Sequence, residues 1–388
     1  MSNLETVIDC GSKNLRLGVF DQSSERIYSS NATITEFDEN KGFEKSLNQL
    51  IRDAEKKLST HLVDVNILYD TSKFNFIDLS IKKSFDQPTL ISKHYDSLVE
   101  EANFIVSENN FKDQVIHIVV NNIIIDGNKK IEVISEEIKI KFLILEIKFI
   151  CLNKSLLSII SNKFKKNNLN ISNIYCSSYI KSIFYKKNLE IKNNLIFLDI
   201  GFERTSALFF NNNKFQFLNS IPLGSNNITK DISKILKLSI EYSENLKIKF
   251  NKDEKDIFLE KNSSNNINLY SEIIEKNISI DLLKQIIEAR VNEIIELTIL
   301  NNNYFKKINS TKKQCIVFIG NGSKLIPNIN SINSKKIFSD LIFFEENDSK
   351  ICDAGINYHR SHESYLTKNK KKLKKTGFFE KFFNLFSK

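Results

Sequence analysis

Two Asp-x-Gly triplets, Asp9-Cys10-Gly11 and Asp199-Ile200-Gly201, each close an apolar run and open a polar turn. A glycine after a strand lets the backbone approach a phosphate and direct N–H groups at it. An aspartate at the strand end can hold a metal-bound water beside that phosphate. Two such turns facing each other would form a cleft for a nucleoside triphosphate with magnesium, whereas one alone is as well explained as a hairpin entry. CIVFIGNGSKLIPNI, Cys315 to Ile329, supplies a third turn: an apolar strand, then Gly320-Asn321-Gly322-Ser323, then the start of a helix. SIEYSENLKIKF, Ser239 to Phe250, sets Glu244 and Lys247 one helical turn apart. Such a pair is either a surface ion pair or a pair reaching a ribose and base.

The elements that must position these residues repeat along the chain. VIDCGSKNLRLGVFDQSSERIYSS from Val7 aligns without a gap on FLDIGFERTSALFFNNNKFQFLNS from Phe197. Each copy reads as a strand, a tight turn, a second strand, a polar turn and a third strand, so two similarly folded domains are expected. With ten glycines and three prolines in 388 residues, the grouping of Gly11, Gly201, Gly224, Gly320 and Gly322 with Pro222 and Pro327 at three turns marks backbone of special shape. The spacing of Leu283, Ile287, Val291, Ile294 and Thr298 predicts a long helix over Asp281 to Leu300.

Composition narrows the function classes. A chain this long, 41% hydrophobic, can bury a large core and divides into two or more domains. No uncharged apolar run reaches the length of a membrane span, and the opening MSNLETVIDCG lacks a signal-peptide pattern, so the chain is expected not to be exported. Five scattered cysteines without CxxC indicate reduced core residues rather than disulfides or zinc. There is no GxSxG, HExxH or Walker lysine loop, and no residue stands out as catalytic.

The charge is local. Of a formal +9, the stretch Leu366 to Lys388 carries +7 from eight lysines and one glutamate. A nucleic-acid-binding body would spread its basic residues over a folded face, so no nucleic-acid partner is expected. On a helix, Phe378, Phe379, Phe382, Phe383, Leu385 and Phe386 share one arc of roughly 160°, just after Lys370, Lys371, Lys372, Lys374 and Lys375. Lysines attracted to anionic lipid, up to about 1 kcal/mol each, with phenyl rings buried among headgroups, predict a membrane-binding helix that is disordered when free. The alternative is a last helix docked on the protein's own core.

Taken in order, these parts resemble the actin, Hsp70 and sugar-kinase superfamily, and within it the FtsA family of bacterial cell-division proteins. VIDCGSKNLRLGVF resembles the first phosphate loop, LIFLDIGFERTSALFF the second, IPLGSNNITKDISKILKLSIEYSENLKIKF the segment that follows, and CIVFIGNGSKLIPNI the adenosine loop. The resemblance implies an α/β, actin-like two-domain ATPase fold with an FtsA-type inserted subdomain and a C-terminal amphipathic helix. It places the first domain at 1–83 and 163–192, the insert at 84–162, the second domain at 193–360, a Lys-rich linker at 361–376 and the helix at 377–388.

It further implies ATP and magnesium as cofactors. Asp9 and Asp199 would flank the magnesium through water; Gly11, Ser12, Lys13, Gly201, Thr205, Gly224 and Ser225 would line the phosphates. Glu244 and Lys247 would meet ribose and adenine, with Gly320, Asn321, Gly322 and Ser323 under the base. Where the family's second loop has successive glycines, this chain has Phe202, Glu203 and Arg204, which predicts slow or undetectable turnover. The implied partners are filaments of the tubulin-like division protein FtsZ, further copies of the chain, anionic lipid and other divisome proteins, at the cytoplasmic face of the inner membrane at the division site. A sugar or acid kinase and a pilus-assembly adaptor are the competing readings.

Overall fold

The computed structural model describes residues 4–34, 39–127, 129–132, 134–135, 137–189, 194–250, 278–309, 314–328, 338–344 and 346–373. Two five-stranded sheets of identical topology form its frame. The first has order β3-β2-β1-β4-β9, from β1 (Glu5–Cys10), β2 (Asn14–Phe20), β3 (Arg26–Thr33), β4 (Asp64–Tyr69) and β9 (Asn170–Cys176). The second has order β12-β11-β10-β13-β14, from β10 (Leu195–Ile200), β11 (Thr205–Asn211), β12 (Lys214–Ile221), β13 (Gln314–Ile319) and β14 (Phe338–Phe343).

The sequence repeat is thus a structural one. β1 pairs antiparallel with β2 and parallel with β4; β10 does the same with β11 and β13. The register agrees residue for residue: Asp9 faces Arg16 across its hairpin, and Asp199 faces Ser206 across the other. Central strands covered on both faces should read as continuous apolar runs. Ile196, Phe197 and Leu198, and beside them Ile316, Val317, Phe318 and Ile319, are all fully buried.

A third, antiparallel sheet, β5-β8-β6-β7, is inserted between β4 and β9 and comprises β5 (Phe74–Leu90), β6 (Asp113–Ile125), β7 (Lys129–Ile131) and β8 (Lys139–Asn153). It has one covered face. Along β8, Leu143, Leu145, Ile147 and Phe149 alternate inward and share a core with Leu98, Ala102 and Val106 of α2 (Tyr95–Asn109). α1 (Glu39–Leu58) lies on the first sheet, and α3 (Lys154–Lys165) contributes Ile160 and Phe164 to the core beneath that sheet, not to the insert's.

The remaining helices set the cleft between the two main sheets. α4 (Ser177–Lys186) follows β9 directly. α5 (Ser225–Leu236), α6 (Ile240–Phe250) and α7 (Ile280–Ile295) pack on the second sheet, with α8 (Asn303–Asn309) beyond them. The long helix expected to reach Leu300 changes to a π-helical turn over Glu296–Leu300, and the helix expected after Gly320 is a 3-10 segment, Asn321–Asn328, holding two of the ten glycine and three proline positions. α9 (Asp348–Leu373) runs along the first sheet with Ile351, Cys352, Ala354 and Ile356 buried.

The Lys-rich stretch expected as a linker is helical backbone as far as Leu373. Lysine and leucine are good helix formers, and no proline or glycine intervenes before Gly377. Lys370, Lys371 and Lys372 belong to that helix. Lys374, Lys375, Phe378, Phe379, Phe382, Phe383, Leu385 and Phe386, and with them the expected terminal helix, lie outside the described residues. No helix among the described residues is long and apolar enough to cross a membrane. The five cysteines are all free, with only Cys10 not fully buried.

Candidate functional site

The ends of β1, β10 and β13 converge on one cavity of about 500 Å³. Of the residues singled out in the sequence, Asp9, Gly11, Ser12, Lys13, Asp199, Gly201, Ser225, Glu244, Lys247, Gly320, Asn321 and Gly322 line it. Thr205, Gly224 and Ser323 stand behind its wall. The Thr205 hydroxyl donates to the Leu223 carbonyl at 2.8 Å, and the Ser323 hydroxyl to the Gly320 carbonyl at 2.7 Å.

Two glycines are dictated by their surroundings. Gly320 has φ +85°, and a Cβ there would lie 2.5 Å from Asp199 Oδ1. A Cβ at Gly224 would lie 2.6 Å from the Arg204 nitrogen, so only glycine lets the start of α5 approach the second loop. That approach is closed by backbone bonds, Ser225 N–H to Gly201 O at 2.9 Å and Asn226 N–H to Phe202 O at 2.8 Å.

All six carboxylates in the cleft have a cationic partner. The cleft wall holds these six, Asp9, Asp70, Asp199, Glu244, Glu346 and Asp348, and six cations, Lys13, Arg16, Lys181, Arg204, Lys247 and Lys324. Arg16 donates to Asp9 at 2.8 Å and to Asp348 at 2.6 Å, and the Ser177 hydroxyl reaches the other Asp9 oxygen at 2.8 Å. Lys181 lies 2.6 Å from Asp199 and 3.3 Å from Glu346. Arg204 lies 3.9 Å from Asp70, and Asp70 also accepts the Ser178 N–H and hydroxyl at the start of α4.

Burial penalises the charges of Arg16, Lys181, Glu346 and Asp70, and the outcome depends on the partner. Burial alone would lower the Arg16 and Lys181 pKa values, but Asp9 and Asp348 in one case, Asp199 and Glu346 in the other, raise both. Burial pushes the Glu346 carboxyl up to about 7 against the opposing charge of Lys181, and its Oε1 receives no hydrogen bond among the described residues. Burial also raises Asp70, with Arg204 opposing.

Glu244 goes the other way. Burial would raise it, yet the Lys247 charge and hydrogen bonds from Lys13, Lys247 and Thr229 hold it down at about 2. Lys13 comes from the first hairpin, 2.7 Å from Glu244 Oε1, so this pair spans the cleft. Lys247 spends its three N–H donors on the Ser225 carbonyl at 3.0 Å, the Thr229 hydroxyl at 2.7 Å and Glu244 at 2.6 Å. Phe202, standing where a glycine was expected, puts its ring 4.6 Å from the Lys13 ammonium and 5.7 Å from that of Lys247.

Magnesium fits this site poorly. Asp9 and Asp199 were expected to hold its waters, but each already faces a buried cation, and no group of three or more potential metal ligands occurs among the described residues. The residues that neutralise them, Arg16 and Lys181, were missed in the sequence. Arg16 had a signal, as the residue facing Asp9 seven positions on in a predicted hairpin. Lys181 had a weaker one, a single charge inside the otherwise uncharged stretch from Ile174 to Tyr185.

Residues 196–346 match the family model of cell division protein FtsA. The chain is 33% identical over 115 residues to the cell division protein FtsA of Buchnera aphidicola subsp. Schizaphis graminum, covering 29% of this chain and 26% of that protein. It is 29% identical over 85 residues to that of Helicobacter pylori, covering 22% of this chain and 17% of that protein. The chain thus spans about a quarter or less of the length of the curated relatives it matches. Among solved structures, a PilM–PilN type IV pilus biogenesis complex superposes with a TM-score of 0.55 at 11% identity, over 90% of this chain and 96% of that one. That likeness bears on fold alone: an actin-like ATPase fold.

Proposed function

We propose, from the premise that this chain is an FtsA-like protein built on the actin-type ATPase fold, that it is a nucleotide-binding cytoskeletal adaptor of cell division. In this reading ATP occupies the cleft, copies of the chain polymerise, and the polymer holds filaments of the tubulin-like protein FtsZ against the cytoplasmic face of the membrane at the division site. It recruits later divisome proteins there. The inserted sheet with α2, Phe74–Asn153 rather than the expected 84–162, is assigned as the FtsA-type subdomain and the residues after Leu373 as the membrane-binding tail.

The observation that carries the reading is the pairing of the two Asp-x-Gly turns around one cavity, with the FtsA match beginning at the strand that leads into the second turn and ending at Glu346 on the cavity wall. A phosphotransferase would need a carboxylate free to take a proton from its acceptor. Five of the six carboxylates on the wall lie within 3.3 Å of a cation and the sixth, Asp70, within 3.9 Å of one, which weighs against a kinase at every position but Glu346, raised to about 7.

The test is co-sedimentation. The full chain with ATP should pellet with preformed FtsZ polymers and recruit them to anionic vesicles. An adaptor that leaves FtsZ in the supernatant and off the vesicles would refute the assignment.

A further inference from the structure

We propose that Lys181 is a built-in cation standing in for magnesium, so that the cleft takes the phosphates of a nucleotide without a divalent metal. The proposal rests on the nucleotide-binding reading above and refines it.

The argument begins with the asymmetry of the two hairpins. In the first, the residue facing Asp9 is Arg16, and the guanidinium pairs with that carboxylate at 2.8 Å. In the second, the residue facing Asp199 is Ser206, which has no charge to offer. The missing charge arrives from the other half of the molecule: Lys181, on α4, reaches across to Asp199 at 2.6 Å and to Glu346 at 3.3 Å. Its side chain is 9% exposed and lies on the cavity wall.

A magnesium ion keeps several waters and needs carboxylates free to accept from them. Here both candidate carboxylates are engaged, and a divalent ion would have to enter between two buried monovalent cations. Displacing Lys181 would strand a desolvated ammonium, which is costly. An ammonium carries three N–H donors; here Asp199 lies at 2.6 Å and Glu346 at 3.3 Å as ion-pair partners, and Glu346 Oε1 takes no hydrogen bond among the described residues. A donor therefore remains for a phosphate oxygen, the role a metal ion would otherwise fill.

The experiment is a binding titration of the full chain with a fluorescent ATP analogue, in EDTA and in millimolar magnesium. The two affinities should agree to within about twofold. The charge-balanced variant Lys181→Gln with Glu346→Gln leaves Asp199 facing the cleft alone. Its affinity in EDTA should fall about tenfold or more, with magnesium restoring it. Tenfold tighter wild-type binding in magnesium would overturn the proposal while leaving the nucleotide reading intact, and so would a variant as tight as wild type in EDTA. Should the variant fail to fold, the wild-type comparison decides alone. Wild type that binds in neither buffer sinks the nucleotide reading, and the proposal with it.

Discussion

Lys181 and Asp199 meet across the cleft, Nζ to Oδ2 at 2.6 Å, although one follows the last strand of the first sheet and the other ends the first strand of the second. Both are more than nine-tenths buried at the side chain. Breaking a buried pair from one side is costlier than replacing both partners. Lys181→Met should therefore lower the unfolding free energy by about 3–5 kcal/mol, and adding Asp199→Leu should recover a substantial part of that. Denaturant unfolding of the two single variants and the double variant measures the coupling. Additive losses would show that the pair does not act as a unit.

Glu346 makes stability depend on pH. Its folded pKa is raised from 4.5 to about 7, chiefly by burial. The folded state therefore binds this proton more tightly than the unfolded state. The resulting stabilisation is fully present below about 4.5 and is lost as pH rises through about 7. Glu346→Gln should flatten the stability profile between those limits, gaining on the order of 1–3 kcal/mol relative to wild type at the upper end. A wild-type profile that rises between pH 5 and 7 by more than the variant's contradicts the sign.

Gly320 and Gly127 both have positive φ, +85° and +96°, but a Cβ at Gly127 meets nothing within 4 Å whereas one at Gly320 strikes Asp199 and Ile200. Gly127→Ala should cost only the left-handed backbone penalty, about 1 kcal/mol. Gly320→Ala should cost more and also weaken ATP binding, because the clash is with a cleft carboxylate. Equal melting temperatures and equal affinities for the two variants would show that crowding at Gly320 is relieved elsewhere.

On the helical arc expected of the tail, Phe382 would lie near the centre and Phe383 at one edge. Phe382→Glu with Phe383→Glu should abolish binding to anionic vesicles and leave the melting temperature unchanged. Wild-type binding should weaken as salt is raised, since lysine attraction is screened over about 10 Å at 0.1 M. A lowered melting temperature in the double variant, with a wild type indifferent to vesicles, would instead identify a helix docked on the body.

The two hairpins, their glycines and the segment carrying Glu244 and Lys247 were legible because each leaves a local mark: a residue type dictated by backbone shape, or two charges one turn apart. The charge pattern that decides the site's chemistry was not. Lys181 finds Glu346, and Arg16 finds Asp348, only after the two sheets have come together. No spacing encodes such a meeting, and a lysine within Tyr-Ile-Lys-Ser-Ile-Phe is also what a surface helix would show. The insert left alternation along β8, but its partner strands were set by pairings from Phe74 to Asn153 that no short motif marks.

α9 begins with Asp348 on the Arg16 guanidinium, carries Ile351 on the cavity wall, and is clamped again where Arg360 grips Glu5 at 3.0 Å. It then continues without a break to Leu373, so its 26 residues span about 39 Å. Mechanically this is a lever pivoted near its middle, with about 18 Å of helix on the cleft side of Arg360 and about 20 Å beyond it. A tilt of about 5° would move the far end by roughly 2 Å. The same rod would carry force the other way, so a pull on the tail would be felt as torque at Asp348.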